Sequence, residues 1–261
     1  MNLTLLRPLA LVAGAAAGLA AGCNSTDDGT GSGSSTTNAS ATGVWSGTDS
    51  VSGLAVTAII NAAGDAVFMR SDGILFVGPA QVSNDTLAVA VDGYSDFPTT
   101  FSDGSSYGIG TLNGTVSTGS SIAATLTFTT NGNTAISGTW SLSFAAESNN
   151  ASSTSAVSGN YTDTVTGAVL AISSNGVMTS QNASNSCVLN GSISTDDSTH
   201  NIYEVAYSFE NCTGTYASVN GVQFTGLATL NTAVAPAQLT MAVSGASSSS
   251  KYGIVSTLNG S

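Results

Sequence analysis

Basic residues are nearly absent from this chain. Three Lys and Arg stand against fifteen Asp and Glu in 261 residues, a formal net charge of −12. They are Arg7, Arg70 and Lys251. Phosphate binding needs clustered Lys and Arg, so nucleic acid is excluded as a partner. The same shortage excludes electrostatic docking on anionic lipid headgroups, so any membrane attachment has to come from something other than charge. Charge of either sign is scarce, at 7% of residues, where soluble domains carry roughly 25%.

Histidine is as scarce. His200 stands alone, in a segment Asp196-Asp197-Ser198-Thr199-His200-Asn201 that reads as a hairpin turn. A turn histidine is ordinarily a solvated side chain, and no Gly-x-Ser-x-Gly elbow accompanies it. The acids offer little more. Glu147 falls between the two halves of the chain, and Glu204 and Glu210 share one strand without a second carboxylate placed across a cleft. Asp92, Asp96 and Asp103, like Asp196 and Asp197, sit where turns need Asp and do not match a calcium-loop pattern. The expectation is a protein without catalytic residues, without a metal and without a cofactor.

What the chain does hold is apolar residues, 41% of the total, spaced by Ser, Thr, Asn and Gly. That is enough for a core, so a disordered chain is excluded. The first 22 residues have a different pattern. Arg7 precedes an apolar run from Leu9 to Ala21, too short and too rich in Ala and Gly for a membrane span, and Gly22-Cys23 follows. These are the marks of a secretory signal. Ala20-Ala21-Gly22-Cys23 resembles the lipobox of bacterial lipoproteins, with Leu19 one position earlier than the usual leucine. The resemblance implies cleavage before Cys23 and acylation of that cysteine, with palmitate among its lipids. Asn24 in place of Asp favours release to the outer membrane of a Gram-negative cell. Residues 23–42, nearly all Ser, Thr, Gly, Asn and Asp, read as a flexible tether.

From Gly43 the apolar residues recur every second position. Ala124, Leu126 and Phe128 alternate with Thr125 and Thr127, and Trp140, Leu142 and Phe144 alternate with Ser141 and Ser143. Period two with Gly, Asn and Asp breaks predicts half-buried antiparallel strands, and no stretch shows a helical stripe. Eight strands are expected over residues 43–146 and eight more over 157–261, with 147–156 as a linker. Gly43-Val44-Trp45-Ser46 opens the first half and Gly159-Asn160-Tyr161-Thr162 the second. Thr111-Leu112-Asn113 and Thr229-Leu230-Asn231 lie at similar offsets. Even numbers of short strands favour closure, which removes exposed edges. The expected fold is all-β, two tandem eight-stranded up-and-down antiparallel barrels, with two β-sandwiches as the alternative. Gly43-Val44-Trp45 resembles the opening strand of calycin and avidin-type barrels, which implies a Trp packed at a closed end; no binding residue is carried over from it.

Two cysteines remain beyond Cys23. Cys187 and Cys212 are symmetric about Thr199-His200, and an exported protein lives where disulfides form, so they are expected to bridge a hairpin. Closing a loop of this length contributes on the order of 3 kcal/mol in the chain-entropy picture. Strict pairing sets Leu189 and Ile193 on the wrong face from Tyr203, Val205, Tyr207 and Phe209, so a bulge near Glu210-Asn211 is required. The function expected is that of a lipid-anchored envelope lipoprotein, attached to the membrane through its N-terminal lipid, acting as a non-catalytic binding or structural module for an unidentified protein or small ligand. The alternative is a periplasmic inhibitor or immunity lipoprotein that blocks a hydrolase.

Overall fold

Alternation along the sequence becomes sixteen strands in the computed structural model, which describes residues 37–163, 166–182 and 184–261. The expected signal peptide 1–22, the lipidation site Cys23 and the tether as far as residue 36 lie outside the described residues. The first eight strands are β1 (Gly43–Asp49), β2 (Ala55–Ile60), β3 (Asp65–Arg70), β4 (Ile74–Ser83), β5 (Thr86–Ser95), β6 (Tyr107–Ser117), β7 (Ser121–Thr130) and β8 (Ala135–Phe144). The second eight are β9 (Gly159–Asp163), β10 (Val169–Ile172), β11 (Val177–Gln181), β12 (Val188–Asp197), β13 (Ile202–Glu210), β14 (Gln223–Asn231), β15 (Gln238–Ala246) and β16 (Lys251–Gly260). Each set pairs neighbour to neighbour and closes on itself, β1 on β8 and β9 on β16, giving two up-and-down antiparallel barrels. The sandwich alternative is set aside.

The segments that the sequence pairs fall on corresponding strands of the two barrels. Gly43 and Gly159 both open a first strand at φ 146°, a backbone region that favours glycine. Trp45 and Tyr161 follow two residues later, and both are buried. Thr111-Leu112-Asn113 lies in β6 and Thr229-Leu230-Asn231 in β14, the sixth strand of each barrel.

β2 and β3 are buried on both faces, unlike the cleanly alternating β7. Their outward residues Ile59, Val67 and Met69 join Leu75 and Tyr94 against Ile202, Leu227 and Ala242 of the second barrel, forming a separate buried cluster. Polar contacts flank it. Lys251 lies 3.5 Å from Asp92 and 3.9 Å above the Tyr107 ring, and Asp96 Oδ1 accepts the Val255 N–H midway along β16. The barrels therefore share an apolar interface.

The expected linker and the end of the expected tether are both packed. Residues 147–156 were expected as a linker, yet Ala146–Asn149 forms a 3-10 turn and Thr154–Val157 a single helical turn. The buried Ser148 hydroxyl accepts the Val44 N–H at 2.9 Å, and its carbonyl accepts the Asn201 N–H at 3.2 Å. Ser152 donates to the Asp197 carbonyl. Hydroxyls that read as solvent-loving satisfy backbone groups at the barrel junction. The end of the tether is ordered too. Asn38 and Ala39 bond Asn84, Ser40 bonds Thr118, and the Ala41 carbonyl accepts the Trp45 indole N–H at 2.9 Å. This strip closes one end of the first barrel.

Candidate functional site

The barrels are filled differently. The first is filled through its middle by Trp45, Phe68, Phe76, Phe128 and Trp140, all fully buried. Phe76 meets Phe128 edge to face at 5.3 Å and Trp140 at 5.7 Å, and Phe68 meets Trp140 at 5.6 Å. The Phe128 ring lies against the paired Gly93 and Gly108, where any Cβ would collide with it. The second barrel also buries large rings, Tyr203 and Phe224 completely, but beside the short β9 its inward residues are smaller. Leu170, Ser180, Leu189, Met241, Ser256 and Leu258 leave a cavity of about 320 Å³. That is large enough for a small molecule, at the lower end of the ~300–1,000 Å³ range of ligand pockets.

The cavity has a side opening because β9 is short. Only Leu258–Gly260 of the ten-residue β16 pairs with Tyr161–Asp163. Above that pairing the β16 edge is taken by the loop after β5, from the first barrel. Asp96 forms a parallel bridge with Gly253, the Phe97 N–H donates to the Gly253 carbonyl at 2.9 Å, and Asp96 Oδ1 accepts the Val255 N–H at 3.0 Å. The loop is held tight by the Thr99 N–H and hydroxyl, both donating to the Asp96 carbonyl. Phe97 reaches across to Tyr216 and Tyr252, each edge to face at 5.4 Å. One barrel thus supplies the strap over the other's cavity.

The strap brings charge to an apolar space. Burial pushes the Asp96 carboxyl up to about 6, and the nearby Asp163 charge adds to this against the Val255 N–H. The Tyr207 phenol, also lining the cavity, is raised further by its burial and by the Asp96 charge. Asp163 itself accepts the Thr166 N–H and hydroxyl. The lining contains no Lys, Arg or His among the described residues.

The opposite rim depends on the cysteine pair. The Cys187 and Cys212 sulfurs lie 2.10 Å apart, as expected for a disulfide. The bridge and the Thr213–Asn185 bonds pin the 3-10 helix Gly214–Val219, which carries Tyr216, beside the cavity. The expected bulge near Glu210-Asn211 is present, and a second irregularity lies at the far end of the hairpin. β12 pairs Leu189 with Phe209 and Ile193 with Val205, so all four share the inner face. The register slips at Asp196, one residue on the β12 side. Asn211, at φ 59°, supplies the compensating residue that brings Cys212 back to Cys187.

The other residues weighed from sequence do not converge. His200 Nδ1 meets Asp197 at 2.7 Å and Thr199 Oγ1 at 3.0 Å, so carboxylate and hydroxyl compete for one ring nitrogen. A catalytic triad needs them on opposite nitrogens. Thr199, chiefly through its hydroxyl and N–H, and His200 hold Asp197 down to about 2, as a turn cap would be. Glu204 and Glu210 are exposed on the outer side of β13. Asp92 goes to Lys251 and the Tyr107 hydroxyl, Asp96 to β16, and Asp103 to Ser105 and Thr130. The bonds from Ser105 and Thr130 hold Asp103 far below the usual carboxylate range. No group of three metal-ligating side chains occurs among the described residues. No described helix is long and apolar enough to cross a membrane. Two larger hollows, of about 470 and 880 Å³, are a groove between the barrels and the open outer face of β4–β7. Neither lies inside a barrel. The sequence reading missed Phe97, whose signal was an aromatic residue alone in a polar loop. A scan of protein-family models matches none, and searches of curated proteins and of solved structures return no match to the chain.

Proposed function

We propose that this protein is a lipid-anchored envelope protein whose second barrel binds a small, largely apolar ligand without transforming it. The observation that carries the reading is the contrast between two barrels of the same topology. Both bury large rings, but five of them fill the middle of the first, whereas the second keeps a hollow of about 320 Å³ beside Tyr207 and Phe209 under a strap from its neighbour. A cavity costs stability relative to a packed core. Keeping one beside a duplicate that is packed favours a use for the space. The anchor rests on the leader pattern and on Cys23.

Titrating 1-heptanol into methyl-labelled protein tests the binding reading by NMR. Saturable shifts are expected at Leu170, Leu189 and Met241, with Leu87, Leu112 and Leu126 of the first barrel unmoved. Shifts that do not saturate, or that are equal in both barrels, would overturn it. Feeding cells labelled palmitate tests the anchor: Cys23→Ala should abolish labelling, and undiminished labelling of that variant would remove the lipid from the account.

A further inference from the structure

We infer that the cavity of the second barrel takes an apolar molecule bearing one positively charged amine, with Asp96 as its counter-charge and Phe97, Tyr207 and Tyr216 around its body. The inference rests on the binding reading above and names the ligand class.

Asp96 lines, with Asp163, a space whose apolar wall of Leu, Met and aromatic rings is broken by Ser, Thr and Asn side chains. Its Oδ1 accepts one backbone N–H, and it forms no ion pair among the described residues. The basic side chains of the described chain are engaged elsewhere. Arg70 is bonded to Asp72 and lies 3.9 Å from Asp49, Lys251 lies beside Asp92, and His200 beside Asp197. A partly buried carboxylate without a counter-ion is costly, and a cation arriving with a ligand relieves that cost. Aromatic faces attract the same cation. The net charge of −12 draws cations toward the protein and repels anions. A fatty carboxylate would bring a third negative charge beside Asp96 and Asp163.

The test compares three ligands of one chain length at pH 7.5 by calorimetry on the full chain: heptylamine, 1-heptanol and heptanoate. Heptylammonium should bind about tenfold more tightly than the alcohol, the scale of a hydrogen bond to a charged group. Heptanoate should not bind. Asp96→Asn keeps an oxygen for the Val255 N–H while removing the charge, so amine affinity should fall to the alcohol's level with alcohol affinity unchanged. The groups facing Asp96 are Asp163 from β9, the Tyr207 phenol from β13 and the Val255 N–H from β16. Lowering the pH through about 6 neutralises Asp96 and should erase the amine preference of the native chain. Equal binding of amine and alcohol to the native chain would overturn the ligand class while leaving the cavity a binding site. A preference that survives in Asp96→Asn would overturn the assignment to Asp96. If that variant does not fold, the pH series on the native chain decides, and a preference unchanged at pH 5 overturns the assignment. Absence of binding by all three would sink this inference and the binding reading together.

Discussion

Removing the Asp49 carboxylate should loosen the first barrel measurably. Asp49 ends β1, is fully buried, and joins the β1–β2 turn to β8. Its Oδ1 accepts the N–H groups of Val51 and Thr139, each at 3.0 Å, and its Oδ2 accepts the Ser52 hydroxyl at 2.7 Å. Arg70, itself nearly buried, approaches Oδ2 to 3.9 Å. Hydrogen bonds to a charged group contribute roughly 1.5–3 kcal/mol each. Val51 and Thr139 are exposed residues whose N–H groups regain water, and Arg70 keeps Asp72. The expected loss for Asp49→Ala is therefore about 3 kcal/mol, or roughly 6–12 °C in Tm for a body of this size. Both tryptophans, Trp45 and Trp140, lie in this barrel, so Trp fluorescence during urea unfolding reads it alone. pH gives a second readout. Burial pushes the Asp49 carboxyl up, but Ser52, the two backbone N–H groups and the Arg70 charge outweigh it and hold the carboxyl below its ordinary value. A depressed native value means the contribution is full above the unfolded carboxylate value, about 3.9, and is lost as pH falls through the native one. The gap between native and variant chains should be widest near pH 7 and close below about pH 4. A variant within half a kcal/mol of native at pH 7, on the order of an ordinary surface change, would refute the role given to Asp49.

Reducing the Cys187–Cys212 bridge, which closes a separation of 25 residues, should cost about 3.5 kcal/mol in the chain-entropy picture. The loss should show in tyrosine signals of the second barrel before Trp fluorescence changes; simultaneous loss would place the stabilisation elsewhere. Phe97→Ala removes a half-buried ring and should cost about 1–2 kcal/mol, less than the ~3–5 kcal/mol of a fully buried Phe. It should also speed ligand exchange in NMR line shapes, and unchanged exchange would mean that the strap does not gate the cavity. Leu227→Asp puts a charge into the buried cluster between the barrels. Trp fluorescence and far-ultraviolet circular dichroism should then report separate unfolding transitions, and a single shared transition would show the barrels to be coupled by other contacts.

The strand frame was legible because a barrel with one solvated face imposes period two. The alternation of Ala124, Leu126 and Phe128 became Ser121–Thr130, and that of Trp140, Leu142 and Phe144 became Ala135–Phe144. What alternation conveys is which residues point inward, not whether they fill the space. Phe68, Phe76 and Phe128 point inward in one barrel and Ser180, Leu189 and Met241 in the other, and only their convergence in three dimensions separates a core from a cavity. The interface carried a signal that was passed over. Ile59, Val67 and Met69 interrupt the alternation of β2 and β3, as strands buried on both faces must. Residues 147–156 misled because Ser and Asn suit solvent and backbone capping equally well. Phe97 stood out only as a lone aromatic in a polar loop, and its partners Tyr216 and Tyr252 lie more than a hundred residues away.

The central claim is that one barrel is packed and the other encloses usable apolar space. A crystal of the protein pressurised with xenon measures this most directly, because xenon enters dry apolar cavities and not packed cores. The account predicts xenon density among Leu170, Leu189 and Met241 of the second barrel and none among Trp45, Phe76 and Trp140 of the first. Side chains collapsed into the second barrel with no xenon bound, or equal occupancy in both barrels, would contradict it.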